Sequence, residues 1–592
     1  MTRQEQNSAY RHEGNVKSLP KGAILLYNSQ QFMVKKIFNF FGKEINGLHE
    51  AAYLLGFFAL LSQFLGLIRD RLLASSFGAG RTLDIYYSAF RIPDFIFVTV
   101  ASLVSISVLV PFIIEKTNIS KEETKKFIDN IFSFFFLLII LVSAIAFFLI
   151  PILSPIIFRG FSSSDIIESI KITQILLLSP IFLGLSNFFG SITQVYKRFF
   201  IYSLSPLVYN LAIISGLIFL YPLFGLSGLV WGVVLGALLH LAIQLPFVFR
   251  QGMFPTIRAP WKIDLIGLKK VLILSVPRTI TLGASQIAII VLLGLASFME
   301  EGSIAVFNFS FNLQGVPLSI IGVSYSVAAF PTLSKFFSSG QKDKFVSEMI
   351  IAVRHIIFWS IPISILFIVL RAQIVRTILG AGEFDWSNTK LTAAALALFS
   401  ISAIAQSLIL LFIRGYYASG NTKKPLLASL FSGCLIIIFA FFFTKIFETV
   451  PTFQYFIESL FRVSDLSGTS ILMLPLAYTL AVSINCLILW YSFGREFAGF
   501  TKALTQTLFH TFSASVIMGL ATYFGLNIFD NIFDLNTLFG IFMQGFLSGI
   551  FGIIVGIIIL KLLKNQEIEE VWKTLHHKIW KAKPLPAEVV EI

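Results

Sequence analysis

Long runs of apolar residues, separated by short polar segments, dominate the pattern of this chain. A helix needs about 20 apolar residues to cross the hydrocarbon core of a bilayer. The runs therefore predict an all-α, polytopic membrane protein. Fourteen transmembrane helices are predicted, at about 50–76, 84–114, 127–152, 167–196, 203–221, 226–249, 270–299, 303–332, 346–370, 388–413, 425–446, 469–492, 503–525 and 536–560.

The segments outside these runs are short, and three of them have amphipathic patterns. Residues 31–45 alternate apolar side chains with lysines, which predicts an interfacial helix after the polar residues 1–30. The loop at 447–468, the longest of those predicted to lie outside the cytoplasm, is rich in phenylalanine and predicts a second interfacial helix. At the C-terminus an apolar stripe at helical spacing predicts an amphipathic tail at the membrane surface or, alternatively, a partner-binding helix. The stripe contains Ile568, Val571, Trp572, Leu575 and Ile579.

The composition strengthens the membrane interpretation. Of 592 residues, 56% are hydrophobic and 13% are charged, whereas soluble domains carry roughly 25% charged residues. The bilayer must therefore be the main solvent, which excludes a disordered chain, a fibre or a disulfide scaffold. Cys434 and Cys486 both lie in apolar runs, so we expect two small core residues and neither a disulfide nor a metal site.

The net charge of +14 is unevenly distributed along the chain. With the N-terminus in the cytoplasm, about 32 of the 45 lysines and arginines fall in cytoplasmic segments and about 6 in outward loops. Because cytoplasmic loops are enriched in lysine and arginine, this asymmetry predicts that both termini are cytoplasmic. The positive charge is thus a topology signal, and no nucleic-acid partner is expected.

No segment of the sequence predicts catalysis. The loops are too short for a soluble catalytic domain, and no metal-ligand spacing, P-loop or nucleophile elbow occurs. His240, His355 and His510 are isolated, and we expect them to be packed or interfacial. An intramembrane glycosyl- or acyltransferase would need paired carboxylates, for which Asp84 and Asp94 are the candidates. We expect no enzyme activity, no catalytic residues, no cofactor and no metal.

Some charged residues fall at bilayer depth, where they are costly and usually face a protein interior or a watery cavity. The basic residues outside the loops are Arg69, Arg71, Arg91, Lys171, Arg278, Arg354 and Lys390. If the first helix continues past Arg69–Asp70–Arg71, these charges lie inside it; alternatively, it ends at Ile68 and they snorkel to the interface. Arg69 and Asp70 are adjacent and should point to different faces, so at least one needs a cavity or a neighbouring helix.

Two further helices carry charges of this kind. Asp84 and Arg91 are seven residues apart, so they should share a helix face, although Asp84 could instead cap the helix N-terminus. Pro93 predicts a bend in that helix. Arg278 follows Pro277 in the seventh helix, which suggests a water-accessible site; alternatively, Arg278 snorkels to the cytoplasmic edge.

Together these residues predict a cationic interior built from helices 1, 2 and 7. Arginine is suited to binding a diphosphate because its planar guanidinium group donates two parallel hydrogen bonds and stays charged. An anionic amphiphile, such as a lipid-linked sugar diphosphate, is therefore the predicted cargo. The expected substrate-binding residues are Arg69, Arg91 and Arg278, with Asp70 and Asp84 pairing or tuning them when the site is empty.

The stretch from Ser62 to Phe95 resembles the first two helices of the lipid II flippase (MurJ/MviN) family, which belongs to the MOP exporter superfamily. The pattern LGFxRD…FGAG…D…AFxxP is matched by Leu65, Gly66, Arg69, Asp70, Phe77, Gly78, Ala79, Gly80, Asp84, Ala89, Phe90 and Pro93. VPRTITLGASQI and GAGEFDWSNTKLTAAALALF are similar to later helices of the family. A faint internal repeat accompanies the resemblance, since Arg159–Pro206 parallels Ala381–Pro425.

The resemblance implies two pseudo-symmetric six-helix lobes plus two C-terminal helices. The implied units are a cytoplasmic extension (1–47), an N-terminal lobe (48–250), a C-terminal lobe (262–500), a lipid-tail groove in helices 13 and 14 (501–563) and a cytoplasmic tail (564–592). Family members usually carry arginine near the positions of Gln63, Phe97 and Asn312, where this sequence does not. The departures bear on the identity of the cargo more than on the fold.

The implied function is alternating-access translocation of a polyprenyl-diphosphate-linked saccharide, most simply the peptidoglycan precursor lipid II, across the bacterial cytoplasmic membrane. The implied partners are that cargo, membrane lipids and cell-wall synthesis proteins. Two alternatives stay open: a MOP-type exporter of another lipid-linked oligosaccharide or of a drug, and a membrane scaffold without transport activity.

Overall fold

The computed structural model describes residues 48–104, 106–497 and 499–571, and every regular element in these ranges is a helix, as predicted. The helices are α1 (Leu48–Phe77), α2 (Arg81–Ala89), α3 (Arg91–Ser102), α4 (Ile106–Thr117), α5 (Lys121–Ile157), α6 (Ser163–Leu176), α7 (Leu178–Val195), α8 (Phe199–Ser215), α9 (Tyr221–Ala242), α10 (Leu245–Arg250), α11 (Leu265–Ala296), α12 (Ser303–Pro317), α13 (Ser324–Ser338), α14 (Lys342–Val369), α15 (Arg371–Leu379), α16 (Trp386–Ala418), α17 (Lys423–Thr449), α18 (Pro451–Phe461), α19 (Met473–Glu496), α20 (Phe500–Asp530) and α21 (Leu538–Leu562). Single π-helical turns follow α8 and α12.

Eleven helical stretches in the described ranges are long and apolar enough to cross a membrane. One of them, Phe199–Arg250, contains two of the predicted spans, 203–221 and 226–249. The predicted span at 84–114 is divided among α2, α3 and α4, which have 9, 12 and 12 residues. The number of stretches is lower than the number of predicted spans for three reasons: one stretch contains two spans, the span at 84–114 is divided, and α1 is not among the eleven.

The break between α2 and α3 lies at Phe90, three residues before Pro93. A proline has no N–H to donate, and its ring clashes with the carbonyl four residues earlier. That carbonyl belongs to Ala89, the last residue of α2. The helix is thus interrupted close to the position where Pro93 predicted a bend, and the place of the break follows from the proline. The break separates Asp84 from Arg91, which therefore do not share a continuous helix face.

Buried apolar side chains form two large groups. One consists of residues between Ile96 and Val271 and is centred on phenylalanines of α5 and α7. The larger group is centred on α12, α14, α16 and α19, and it includes Leu83 and Tyr86 from α2. Large apolar side chains are also exposed along the long helices, as expected where lipid replaces water. Cys434, which we expected in the core, is one of the exposed residues, whereas Cys486 is buried.

The segment between α10 and α11 connects the first half of the chain, α1 to α10, to the second half, α11 to α21, and is held by the N-terminal part of α5. The buried carboxylate of Asp129 accepts hydrogen bonds from the backbone N–H of Thr256 at 2.9 Å and from its hydroxyl at 2.7 Å. The Asn130 side chain exchanges two hydrogen bonds with the backbone of Asp264. The connecting segment is thus attached to one helix of the first half at Thr256, within the segment, and at Asp264, just before α11.

The beginning of the C-terminal tail folds back on the helices rather than lying free. After a left-handed residue at Lys564, a new helix begins, and Asn565 caps it by accepting from the N–H of Ile568. Glu567 is only 3% exposed. Its carboxylate accepts from the Thr507 hydroxyl at 2.7 Å and lies 3.6 Å from Arg354 Nε in α14. The apolar stripe of the tail therefore starts in contact with the protein.

The remaining amphipathic predictions have different outcomes. The helix predicted in the 447–468 loop is present as α18, with Tyr455, Phe456 and Leu460 exposed. The helix predicted at 31–45, and the tail beyond residue 571, lie outside the described residues. His355 stacks on Tyr325 with ring centroids 5.6 Å apart, as expected for a packed histidine.

Candidate functional site

Arg69 and Asp70 lie within α1, which continues to Phe77 as the first alternative predicted. Arg69 is about 12 Å from the end of that helix, at a rise of about 1.5 Å per residue. Its guanidinium turns back to bind the neighbouring carboxylate, with Nη2 2.8 Å from Asp70 Oδ1. The side chains of adjacent residues leave the helix in different directions, but the arginine side chain is long enough to reach the carboxylate of its neighbour. The expectation that these two charges point apart is therefore wrong.

Arg69 also connects α1 to α8. Its Nη1 donates to the side-chain oxygen of Asn210 at 3.1 Å. On the other side of the carboxylate, the Asn312 amide in α12 donates to Asp70 Oδ2 at 3.3 Å. Asp70 is buried, with 4% of the residue exposed. The pair is thus enclosed by Asn210, which the sequence analysis did not select, and by Asn312, which it named as a departure from the family.

Arg71 has a separate role. Its Nη1 donates to the backbone carbonyls of Thr377 at 2.7 Å and Ile378 at 3.2 Å, near the C-terminal end of α15. Carbonyls in the last turn of a helix have no partner in the helix and carry a partial negative charge. Arg71 therefore caps a neighbouring helix and does not join the Arg69–Asp70 pair.

Arg91 begins α3 and is held by two acceptors. Its Nη2 donates to the side-chain oxygen of Asn308 at 2.7 Å, and its Nε donates to the carbonyl of Tyr87 at 3.1 Å. Asn308 in turn donates to the carbonyl of Ile304 within α12. Arg91 is therefore fixed in orientation between the first half of the chain and α12, with an uncharged amide as its side-chain partner.

Two cavities bring these groups together. The Asp70 cavity, of about 310 Å³, is lined by Ser62, Gln63, Gly66, Leu67, Arg69, Asp70, Asn210, Phe311, Asn312, Gly315 and Ser319. The Arg91 cavity, of about 220 Å³, is lined by Arg69, Leu73, Tyr86, Tyr87, Phe90, Arg91, Asp94, Tyr209, Ile213, Asn308 and Asn312. Arg69 and Asn312 line both, so the cavities are neighbours. Together they hold two guanidinium groups and two carboxylates.

Asp84 lies elsewhere. Its carboxylate is 2% exposed and accepts the backbone N–H groups of Gly302 at 2.7 Å and Ala305 at 2.9 Å. These N–H groups belong to the N-terminus of α12, where a negative charge is favourable. Asp84 thus caps a helix, but a helix 218 residues away rather than its own. It lines neither cavity, and no arginine hydrogen-bonds to it among the described residues.

Arg278 is also outside the two cavities. It lies in α11, close enough to Arg414 and Tyr417 of α16 for electrostatic interaction with both. The cationic interior predicted from helices 1, 2 and 7 is thus not formed as expected. The polar groups come from α1, α3, α8 and α12, and two carboxylates accompany the two guanidinium groups. Of the five predicted site residues, the structure brings together Arg69, Asp70 and Arg91.

The sequence analysis missed Asn210, Asn308 and Tyr87 at this site. A signal was present, because Asn308 and Asn312 are four residues apart in an apolar span and must share a helix face. Amide side chains at bilayer depth need hydrogen-bond partners, as charged ones do. Searching the spans for amides as well as charges would have selected these asparagines.

Chemically, the site can exchange partners. Each arginine now donates to an asparagine oxygen, an acceptor weaker than a phosphate. The two carboxylates, Asp70 and Asp94, balance the two positive charges. An incoming diphosphate could therefore accept the hydrogen bonds that the guanidinium groups donate to the asparagine oxygens. The asparagine side chains could then bind neutral polar groups. The arrangement is suited to binding an anion with an uncharged polar neighbour.

Known proteins provide a comparison for this arrangement. The family described as lipid II flippase MurJ matches residues 73–544. A probable lipid II flippase MurJ of Buchnera aphidicola is 27% identical over 378 residues, covering 63% of this chain and 74% of the relative. The lipid II flippase MurJ of Burkholderia cenocepacia is 26% identical over 396 residues, covering 64% of this chain and 75% of the relative.

Solved structures agree in fold. A lipid II flippase MurJ in an inward closed conformation superimposes with a TM-score of 0.66 at 22% identity, covering 88% of this chain and all of the other. An inward-facing multidrug resistance transporter of the MATE family, in the MOP superfamily, gives a TM-score of 0.59 at 16% identity, covering 74% of this chain and 96% of the other.

Proposed function

This chain belongs to the lipid II flippase family, and from that premise we propose that it translocates lipid II, a polyprenyl-diphosphate-linked saccharide, across the bacterial cytoplasmic membrane. The observation that carries the proposal is the pair of arginines at two adjoining internal cavities, each held by the oxygen of an asparagine. Arg69 and Arg91 bind the diphosphate, and Asp70 pairs with Arg69 when the cargo is absent. The protein is a transporter that moves this precursor and does not modify it chemically.

The remaining predicted residues have roles outside these cavities. Arg278, with Arg414 beside it, contacts the anionic headgroup at the cytoplasmic end of the path. Asp84 stabilises the contact between the two halves of the chain by accepting hydrogen bonds from the N-terminus of α12.

The proposed topology has fourteen membrane crossings with both termini in the cytoplasm. The units are the extension 1–47, a six-helix lobe at 48–250, a second six-helix lobe at 262–500, the hairpin 501–563 and the tail 564–592. The two lobes rock around the central site to give alternating access. Either the membrane potential or an ion gradient would drive such a cycle, since one charge crossing 100 mV corresponds to about 2.3 kcal/mol.

The polyprenyl tail follows the last two helices. An apolar groove of about 270 Å³ lies between α15 and α21, and its lining includes Ile374, Ile378, Phe542 and Phe546. Its surface is suited to a hydrocarbon chain, while the diphosphate stays with the arginines. Cell-wall synthesis proteins supply the cargo on the cytoplasmic side and use it on the outer side.

One test uses three arginine variants in proteoliposomes that contain lipid II with a labelled headgroup. We expect Arg69→Ala and Arg91→Ala each to reduce translocation by about 10- to 100-fold, because a hydrogen bond to a charged group contributes roughly 1.5–3 kcal/mol. Arg71→Ala is the matched control, since it removes the same charge from α1 without touching either cavity. Normal translocation by both cavity variants would contradict the proposal.

A second cargo, another polyprenyl-diphosphate-linked glycan, is favoured by one observation. Gln63 and Asn312, at positions where the family usually has arginine, both line the Asp70 cavity. Neutral amides are better suited to sugar hydroxyl and amide groups than to additional negative charge. The same vesicles, loaded with a lipid-linked glycan that lacks the peptide of lipid II, measure this preference directly.

A further inference from the structure

The side chain of Tyr87 has an unusual environment. The residue is 7% exposed, and its ring makes edge contacts with Tyr86 and Phe309 at centroid distances of 5.4 Å and 5.8 Å. Its carbonyl accepts the hydrogen bond from Arg91 Nε. Its hydroxyl, however, is buried and has no hydrogen-bond partner among the described residues. The ring is therefore fixed while its polar atom is unsatisfied.

A buried hydroxyl without a partner lowers stability, since it loses its hydrogen bonds to water and gains none in exchange. Phenylalanine would make the same ring contacts without this cost. Several other buried side chains in the described residues also have an unpartnered polar atom, but Tyr87 is the one that lines either of the two cavities. The unsatisfied hydroxyl thus coincides with the proposed cargo site.

The location of Tyr87 indicates what its hydroxyl could bind. Tyr87 lines the Arg91 cavity together with both arginines and lies within electrostatic range of each. An anion held between the guanidinium groups would present oxygen atoms to this cavity. Aromatic side chains of Tyr86 and Tyr209 line the same space, which gives a sugar ring apolar faces to contact.

We propose that Tyr87 is a cargo-binding residue whose hydroxyl donates a hydrogen bond to an oxygen of the lipid-linked diphosphate saccharide. This inference rests on the proposed function and adds a neutral donor to the two arginines. The acceptor is an oxygen of the diphosphate or of the adjoining saccharide, and both offer the same chemistry to a phenol. An oxygen of the cargo would be the partner that this hydroxyl lacks among the described residues.

The test compares Tyr87→Phe with Tyr478→Phe in the full-length, detergent-solubilised protein. Tyr478 is buried, lines neither cavity, and its hydroxyl donates to Gln406 at 3.2 Å. We expect Tyr87→Phe to bind cargo about tenfold more weakly while its unfolding temperature is unchanged or higher. We expect the reverse for Tyr478→Phe: a lower unfolding temperature with unchanged cargo affinity.

Two probes identify the acceptor, namely lipid II and undecaprenyl diphosphate without a saccharide. A loss of affinity by Tyr87→Phe for both probes assigns the hydrogen bond to the diphosphate, and a loss for lipid II alone assigns it to the saccharide. Equal affinity of Tyr87→Phe and wild type for both probes would overturn the inference, as would a lowered unfolding temperature like that of Tyr478→Phe. If wild type binds neither probe, the proposed function itself fails.

Discussion

Replacing Asp84 by asparagine tests how the two halves of the chain are held together. In the native protein one carboxylate accepts two backbone N–H groups at the start of α12, at 2.7 Å and 2.9 Å. An asparagine of the same shape has one accepting oxygen, and its NH₂ group would face the second N–H. Asp84→Asn therefore removes one hydrogen bond and the negative charge at the helix N-terminus.

The size of the effect follows from these contacts. A buried hydrogen bond to a charged group contributes roughly 1.5–3 kcal/mol, and a charge at a helix end adds up to about 2 kcal/mol in partly buried sites. Burial of the carboxylate, which is 2% exposed, opposes these gains because desolvation disfavours a charge. We therefore expect a net loss of about 2 kcal/mol, which corresponds to a shift of about 30-fold in the ratio of joined to separated halves.

Spin-label distances between the two halves provide the assay. Labels at Glu168 in α6 and Ser387 in α16, both exposed, report the separation once Cys434 and Cys486 are replaced by alanine. We expect Asp84→Asn to increase the population with long distances.

The control is Asp165→Asn, because Asp165 and Ser162 form a capping box within the first half of the chain. Its substitution weakens α6 and removes the ion pair with Arg81 at 3.6 Å, but it removes no hydrogen bond between the described residues of the two halves. If Asp84→Asn leaves the distance distribution unchanged, or if both variants broaden it equally, then the bonds to α12 do not hold the halves together.

Three further substitutions test other contacts. Glu567→Ala should lower the unfolding temperature more than Glu569→Ala, because Glu567 is buried beside a cation and Glu569 is exposed; equal temperatures would show that the tail contact contributes nothing. Asp129→Asn should increase proteolysis of the segment between α10 and α11, and wild-type cleavage rates would contradict this. Gly302→Ala should be strongly destabilising, since φ is +87° and a Cβ would meet the backbone oxygen of Ala79 at 1.9 Å; a wild-type unfolding temperature would exclude that clash.

The sequence was sufficient to predict features that depend on local pattern. α14, at Lys342–Val369, lies within a few residues of the predicted span 346–370, because bilayer thickness fixes the length of an apolar run. The break between α2 and α3 follows from the covalent structure of Pro93. The adjacent Arg69 and Asp70 were also correctly selected as charges that need an internal environment.

The partners of those charges could not be predicted, because they depend on distant parts of the chain. Asn210 is 141 residues from Arg69, and Asn308 is 217 residues from Arg91. Asp84 was a reasonable candidate for a cap, but nothing near it in the sequence identifies α12 as the helix it caps. Glu567 looks like a solvated residue in an amphipathic tail, and its burial becomes visible only when α14 and α20 are placed beside it.

The contact between Glu567 and Arg354 affects how the protein responds to the thickness of its membrane. Helices adapt to a thicker or thinner bilayer by changing their tilt. Because residues just after α21 are bound to α14, the hairpin of α20 and α21 cannot change its tilt without pulling on α14. We therefore expect a change in lipid chain length to act on α14 as well as on the hairpin, and the rate of transport to depend on acyl-chain length.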